Sequence, residues 1–318
     1  FTVTSKKEKT CLPLPGNCYL VTDTESTLRK RMKEDNYYIR SYSKNKPYSG
    51  YYVSTKLWVG DYVNGETFEE LGQRATGIER IAVMRADVDN LGQAFVRGFE
   101  NEKNGSKYVT LSRTATFSRK LSMFFKYHIN SLLKEGGYSI LEEEAQMEKE
   151  DDRRNALIVY SGGDDIFIVG AWDDIIGFAV DLHDNLMEYS QDTLKISAGI
   201  GIYPSKYPIS IMARETGRLE EAAKSVEGKN AVALFDEKYT FPWEEFIENV
   251  VEEKLYFIQK YFKVVDEKGK NFLYNLLELV RKRKEDKINI ARFAYLLGRM
   301  EPKVQRGEKK EEIEEKRD

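Results

Sequence analysis

The stretch Val159-Tyr160-Ser161-Gly162-Gly163-Asp164-Asp165-Ile166-Phe167 constrains the fold of this chain more than any other. Apolar β-formers flank it, Ala156–Tyr160 before the turn and Asp165–Val169 after it. Two such runs around a glycine-containing turn predict a hairpin of two buried strands. Nothing in a hairpin requires two adjacent carboxylates at its tip. Neighbouring like charges repel, so stability alone does not select them, whereas a divalent cation makes them useful. The glycines fit the same use, because backbone without a Cβ lets a phosphate or nucleotide approach closely.

A second acidic element precedes the hairpin. Ile81–Ala86 reads as an apolar strand that runs into Asp87, Val88, Asp89, Asn90, Leu91 and Gly92, carboxylates followed by a polar turn closed with glycine. If the two strands are neighbours in one sheet, Asp87, Asp164 and Asp165 converge at one edge of it. Three convergent carboxylates can hold two Mg²⁺ or Mn²⁺ ions, enough to clamp a triphosphate and activate a hydroxyl for in-line attack. That chemistry is nucleotidyl transfer. In this reading Asp87 and Asp164 share the metals and Asp165 is the third carboxylate. The N–H groups of Asn90, Leu91 and Gly92 cradle phosphates, Ser161, Gly162 and Gly163 line the floor, and Ser161 is placed to hydrogen-bond the nucleotide. Asp89 has a competing use, capping the turn through its own side chain.

Composition narrows the classes. The 318 residues suffice for two domains and a third small one. No apolar run approaches the roughly 20 residues of a spanning helix, and 32% charged residues argue against a membrane protein. A net charge of −3 leaves no global nucleic-acid footprint, so any RNA surface must be a local patch or be supplied by partners. Two cysteines and no signal peptide indicate a cytoplasmic setting. Cys11 and Cys18 flank a Pro-Gly turn, but a zinc site would need two more ligands, so ordinary thiols are expected.

The chain order predicts an α+β fold. Residues 1–76 form a small β-rich segment with strands near Cys18–Thr22, Tyr37–Tyr42 and Tyr51–Val59, a turn at Leu12–Asn17, and a short helix at Thr67–Arg74. Residues 77–240 read β-α-β-β-α-β with an additional α-β, the order of a ferredoxin-like palm. In its first helix, near Thr110–Lys134, the stripe Phe117, Leu121, Phe124, His128 and Leu132 places His128 on or beside the buried face. The acidic run from Glu142 to Asp152 reads as a solvated loop. His183-Asp184 lies within a helix and reads as coincidence, because adjacent helical residues point about 100° apart. Gly228 is expected to cap the following helix in the left-handed region. Residues 241–318 predict a helical bundle, with Trp243–Phe262, Asn271–Arg283 and Ile288–Met300 amphipathic and a mixed-charge tail from 303 onward.

The run Arg85-Ala86-Asp87-Val88-Asp89-Asn90-Leu91-Gly92, followed by Ser161-Gly162-Gly163-Asp164-Asp165, resembles the palm domain in the large subunit of type III CRISPR effector complexes. Polymerase palms, GGDEF-type diguanylate cyclases and class III nucleotidyl cyclases share that architecture. Three further stretches make the resemblance one to the type III-A (Csm) large subunit: Leu57-Trp58-Val59-Gly60-Asp61-Tyr62, Phe117-Ser118-Arg119-Lys120-Leu121 with Phe124-Phe125, and Ile290-Ala291-Arg292-Phe293-Ala294-Tyr295-Leu296-Leu297.

The resemblance implies synthesis of cyclic oligoadenylates from ATP, the 3′-hydroxyl of one nucleotide attacking the α-phosphate of another, switched on by target RNA. It adds the backbone carbonyl of Val88 to the metal ligands. It also matches Lys229 to a phosphate-binding lysine of related cyclases, the alternative being a solvated turn lysine. Implied partners are the subunit at the crRNA 5′ end, the small helical subunit, crRNA and target RNA. Relatives usually carry an N-terminal HD nuclease domain and a first palm. Neither is visible here, and a chain that begins at Phe1 is expected to be a fragment or a processed form.

Overall fold

The structure is a computed structural model that describes residues 1–31, 38–45, 53–100, 103, 105–141, 153–264, 271–282 and 287–298. The acidic loop at 142–152 and the tail from 303 lie outside the described residues, as do residues 283–286. Two compact units are present, Phe1–Trp243 and Glu244–Asp318.

The first unit contains two sheets. The smaller has five strands: β1 (Thr2–Thr4), β2 (Leu12–Leu14), β3 (Cys18–Val21), β4 (Tyr38–Lys44) and β5 (Val53–Leu57), in the order β2-β3-β1-β4-β5. The expected turn at Leu12–Asn17 is partly strand. Leu12–Leu14 pairs with Cys18–Val21, and Pro13 is accommodated because β2 is an edge strand. A short helix, α1 (Glu25–Arg31), follows β3. A second, α2 (Phe68–Gln73), starts where the Thr67 hydroxyl accepts from the Glu70 amide.

The larger sheet is the palm. Its strands are β6 (Ile81–Val88), β7 (Ala156–Gly162), β8 (Asp165–Ala171), β9 (Ile196–Tyr203), β10 (Ala231–Leu234) and β11 (Thr240–Pro242), in the order β11-β10-β9-β6-β8-β7. The four strands β9-β6-β8-β7 give the 4-1-3-2 order of a ferredoxin-like fold, with β6 antiparallel to both neighbours. The added α-β places β10 parallel to β9, and β11 turns back along the edge.

β6 is central and nearly continuously apolar, as a strand covered on both faces must be. Ile81, Val83 and Val169 pack with Leu71, Tyr203 and Met212, the last from helix α7 (Ile209–Lys224). Burying each such side chain contributes about 1.5–3 kcal/mol. Helix α6 (Trp172–Ser190) buries Ile175, Phe178, Ala179, Leu182 and Leu186, the i, i+3, i+4 pattern of one inward stripe.

The first palm helix differs from its expected register. After α3 (Leu91–Arg97), α4 (Leu111–Met123) passes into a π-helical turn, Phe124–His128, before α5 (Ile129–Glu135). Widening the turn to i→i+5 bonding shifts every later residue around the axis. Buried positions therefore run Leu121, Phe124, Phe125, Ile129 and Leu133, and His128 is exposed. The reading of His128 as a buried-face residue is corrected on that ground. Gly228 is also displaced from its expected role: α7 ends at Lys224 with Ser225 as its right-handed cap, while Gly228 (φ 80°) bends the loop beyond.

The second unit is helical. Glu244 and Glu245 lead into a π-helical stretch, Phe246–Leu255, and then into α8 (Tyr256–Val264). Helices α9 (Asn271–Arg281) and α10 (Ile288–Gly298) pack together. The amide of Asn289, itself buried, donates to the Lys282 carbonyl at 3.0 Å. No helix of the described residues is long and apolar enough to cross a membrane.

Candidate active site

Strand register brings the two acidic elements together. Asp87 at the end of β6 lies opposite Asp165 at the start of β8 and opposite Ser197 on β9. The Val88 amide donates to the Asp164 carbonyl at 3.1 Å, fastening the hairpin tip to β6. Gly163 adopts φ 71° in the turn, a conformation that glycine enters without a Cβ penalty. Burial, and then the charges of Asp87 and Asp165, push the Asp164 carboxyl above the usual aspartate range. The Tyr160 phenol is raised as well, first by the charge of Asp165 beside it. An edge this crowded with negative charge favours a cation.

In the protein alone that cation is a lysine. The Lys224 ammonium, from the last turn of α7, donates to Asp87 Oδ2 at 2.6 Å and to Glu220 Oε1 at 2.7 Å. Glu220 Oε2 pairs in turn with Arg85 Nε at 3.1 Å. Burial alone would lower the Lys224 pKa, but hydrogen bonds and charges from Asp87 and Glu220 outweigh it and raise it. Arg85 and Asp87 share one face of β6 because strand side chains alternate, and α7 covers that face. Sequence reading missed Lys224, Glu220 and Arg85. The i,i+4 pair Glu220–Lys224 is a visible signal, but only the packing of α7 shows what it reaches.

The other expected site residues divide. Asn90 (φ 55°) is the left-handed residue before α3, and its carbonyl accepts from Gln93 and Ala94. The amides of Leu91 and Gly92 therefore begin that helix, where N–H groups lack intrahelical acceptors. Lys229 Nζ donates to Asn90 Oδ1 at 2.9 Å, which sets it beside this turn. Asp89 points inward instead: Oδ2 accepts from the Ser197 hydroxyl at 2.8 Å and the Asn230 amide at 3.0 Å, while buried Oδ1 has no partner. Ser161 also turns away from the tip, donating to the Phe125 carbonyl at 2.5 Å inside the π-helical turn. Gly162 ends β7, and Gly163 forms the turn between it and the acids.

Among the described residues no three His, Cys, Asp or Glu side chains stand together as a metal-ligating group. The donor chemistry nevertheless fits a hard cation. Carboxylate oxygens line one edge, burial and then the acidic neighbours hold Asp164 above its usual pKa, and Lys224 already neutralises Asp87. Asp87, Asp164 and Asp165 with the Val88 carbonyl are the groups that could hold Mg²⁺ or Mn²⁺.

The chain has counterparts among known proteins. The sequence profile of the second palm domain of Cas10/Cmr2 matches residues 80–233, and that of the second helical domain of the Cmr2 subunit of the CRISPR RNA silencing complex matches residues 259–316. A Mycobacterium tuberculosis protein named CRISPR system single-strand-specific deoxyribonuclease Cas10/Csm1 (subtype III-A) is 48% identical over 292 residues, 91% of this chain and 35% of that protein. The chain belongs to the Cas10/Csm1 family.

It spans about a third of the length of the curated relatives it matches. Among solved structures, the Csm1–Csm4 cassette in complex with cA4 aligns with a TM-score of 0.62 at 26% identity, over 87% of this chain and 41% of that one. The same cassette in complex with one ATP aligns with a TM-score of 0.63 at 26% identity, over 87% and 40%. Csm1 chains of known structure thus share the fold over most of this chain.

Proposed function

We propose that this chain carries the nucleotidyl-transferring palm of a type III-A CRISPR effector, joining ATP into cyclic oligoadenylates by 3′–5′ phosphodiester formation when target RNA is bound. The observation that carries the proposal is the pairing of Asp87 with Asp165 across neighbouring strands, with Asp164 between them and two lysines alongside. ATP and cA4 in complexes of related Csm1 proteins support it.

Two divalent ions, when bound, would polarise the α-phosphate and the attacking 3′-hydroxyl. The chain's own groups do the remainder by position and charge. Asp87, Asp164, Asp165 and the Val88 carbonyl hold the ions. The Leu91 and Gly92 amides, with Asn90 and Lys229, receive the triphosphate. Lys224, now paired with Asp87, would be a further cation for the same phosphates if a metal took over that carboxylate. Gly162 and Gly163 leave room at the tip, and Ser161 with Asp89 brace the two loops from behind rather than touching the nucleotide. Neither histidine lies on the acidic edge, so the proposal includes no protein general base. A Csm4-type subunit, the small helical subunit, crRNA and target RNA are the proposed partners, with a first palm supplying the second nucleotide's site.

Calorimetric titration of ATP with Mn²⁺ into the wild type and into Asp164→Asn/Asp165→Asn tests the proposal. Metal-dependent binding abolished by the double substitution is expected. Equal binding in both proteins, or none in either with the fold intact, would leave a scaffold that holds partner subunits without turnover.

A further inference from the structure

One segment of this acidic chain is purely basic. Between Gly105 and Lys134 there are six lysines and arginines and no aspartate or glutamate, within a chain of net charge −3. This segment contains α4, the π-helical turn and α5 up to Lys134, the residue before its terminal Glu135. The π turn spends Phe124 and Phe125 on the core and leaves Tyr127 and His128 facing out.

Those two rings do not stand alone. Tyr127 meets Trp58 edge-on at 4.3 Å between centroids, and the Lys56 ammonium sits 3.3 Å over the Trp58 ring. On the other side Tyr127 meets His128 at 5.3 Å, and His128 meets Tyr189 at 5.4 Å. The Tyr189 hydroxyl donates to the Lys120 carbonyl at 2.9 Å. Four rings thus form one row, with the Lys56 ammonium at the Trp58 end and the backbone of exposed Lys120 at the Tyr189 end, and Tyr127 and Tyr189 are 41% and 38% exposed. A core would have buried these rings. Two acids lie near the ends of the row: Asp61, close in sequence to Trp58, is paired with Lys44 at 2.8 Å, and Glu188 precedes Tyr189 in sequence.

We infer that the row Lys56–Trp58–Tyr127–His128–Tyr189–Lys120 is a stacking surface for single-stranded nucleic acid. Tilted rings offer π-faces to unstacked bases, and the Lys56 ammonium with the basic side chains of the 105–134 segment would meet the phosphates. A duplex keeps its bases paired and cannot use the rings. The inference goes beyond nucleotidyl transfer and stands without it, because none of the six residues is among the acids, the lysines or the turn amides assigned to that reaction.

The test is fluorescence anisotropy of a labelled oligouridylate of about 16 nucleotides titrated with the full chain. It is run in EDTA without ATP, so that its outcome is independent of the acid turn. Tyr127→Ala is expected to weaken binding about tenfold and leave the salt dependence unchanged, while Tyr127→Phe retains affinity. Lys56→Gln and Lys120→Gln are each expected to reduce the slope of log affinity against log salt by about 0.7. An oligodeoxythymidylate of the same length competing for the surface supports the inference as well. It is overturned if the wild type binds no single strand at low salt, or if a duplex binds equally well. Loss in the lysine variants alone, with Tyr127→Ala at wild-type affinity, overturns it too.

Discussion

Lys224 Nζ lies 2.6 Å from Asp87 Oδ2, joining the last turn of one palm helix to the acidic end of the central strand 137 residues earlier. The pair sits beside carboxylates that repel one another, so the ammonium does for the protein alone what a bound metal would do. A cation and a lysine competing for one carboxylate make a prediction whose sign differs with the ligand.

Replacing Lys224 with methionine keeps much of the apolar stem and removes the charge. Mn²⁺ alone should then bind about tenfold more tightly, since Asp87 has no competitor. ATP binding in the presence of saturating Mn²⁺ should weaken by a similar factor, because a phosphate partner is gone. Calorimetry with and without nucleotide separates the two. A shift of both affinities in the same direction would contradict the arrangement.

Asn130 uses its whole amide to hold the loop behind the hairpin. Its Oδ1 accepts from the Asp61 and Tyr62 amides at 2.9 and 3.0 Å, and its Nδ2 donates to the Val59 and Lys126 carbonyls at 2.9 and 3.3 Å. Gly60, between those loop residues, is pressed against Ser161, where an added Cβ would come within 2.8 Å of the serine Cβ. Asn130→Ala leaves two amides without acceptors and should cost about 2–3 kcal/mol. Urea denaturation with an unchanged m-value is the measurement.

Asp89 illustrates the difference between an acid in a motif and an acid at a surface. Its carboxylate is buried and braces Ser197 on β9 and the Asn230 amide before β10. Asp89→Ala orphans both donors, with an expected loss of about 2–4 kcal/mol. Asp89→Asn keeps one acceptor oxygen and should recover at least half of that in thermal or denaturant unfolding. Equal loss in both variants would mean that the charge, rather than the acceptor, is what the site needs.

What could be read in the sequence follows from how local the signal was. The hairpin at 156–171 was legible because strand alternation and glycine turn chemistry are set within a few residues. The adjacency of Asp87 to the tip was legible through the β-α-β-β order, which leaves few sheet topologies. The register of the Phe124–His128 turn was not, because periodicity arguments assume 3.6 residues per turn and nothing in Phe-Phe-Lys-Tyr-His announces i→i+5 bonding. Lys224 was missed for a different reason. Its partner is fixed by how α7 lies on the sheet, a tertiary relationship with no sequence spacing to betray it. The inward turn of Ser161 and Asp89 was hidden likewise, since a motif gives residue order and not side-chain direction.

Asp164 offers a test that needs neither metal nor nucleotide. Burial and the charges of Asp87 and Asp165 raise its folded-state pKa, so the folded protein binds that proton more tightly than the unfolded chain does. Stability from this group is therefore fully present below the unfolded aspartate pKa, near 3.9, and is lost as pH rises through the higher folded value. At neutral pH the ionised carboxylate is a liability in the metal-free protein. Asp164→Asn removes the charge at nearly constant shape and should stabilise the protein at pH 7, by at most about 1 kcal/mol because solvent screens the turn. The gain should shrink toward zero as pH falls below that unfolded value, where the wild-type group is protonated in both states. Thermal unfolding of the two proteins in EDTA from pH 3.5 to 7 measures it. A variant less stable than wild type at pH 7, or a gain that does not depend on pH, would show that Asp164 is held by favourable contacts and that the acidic edge is not under electrostatic strain.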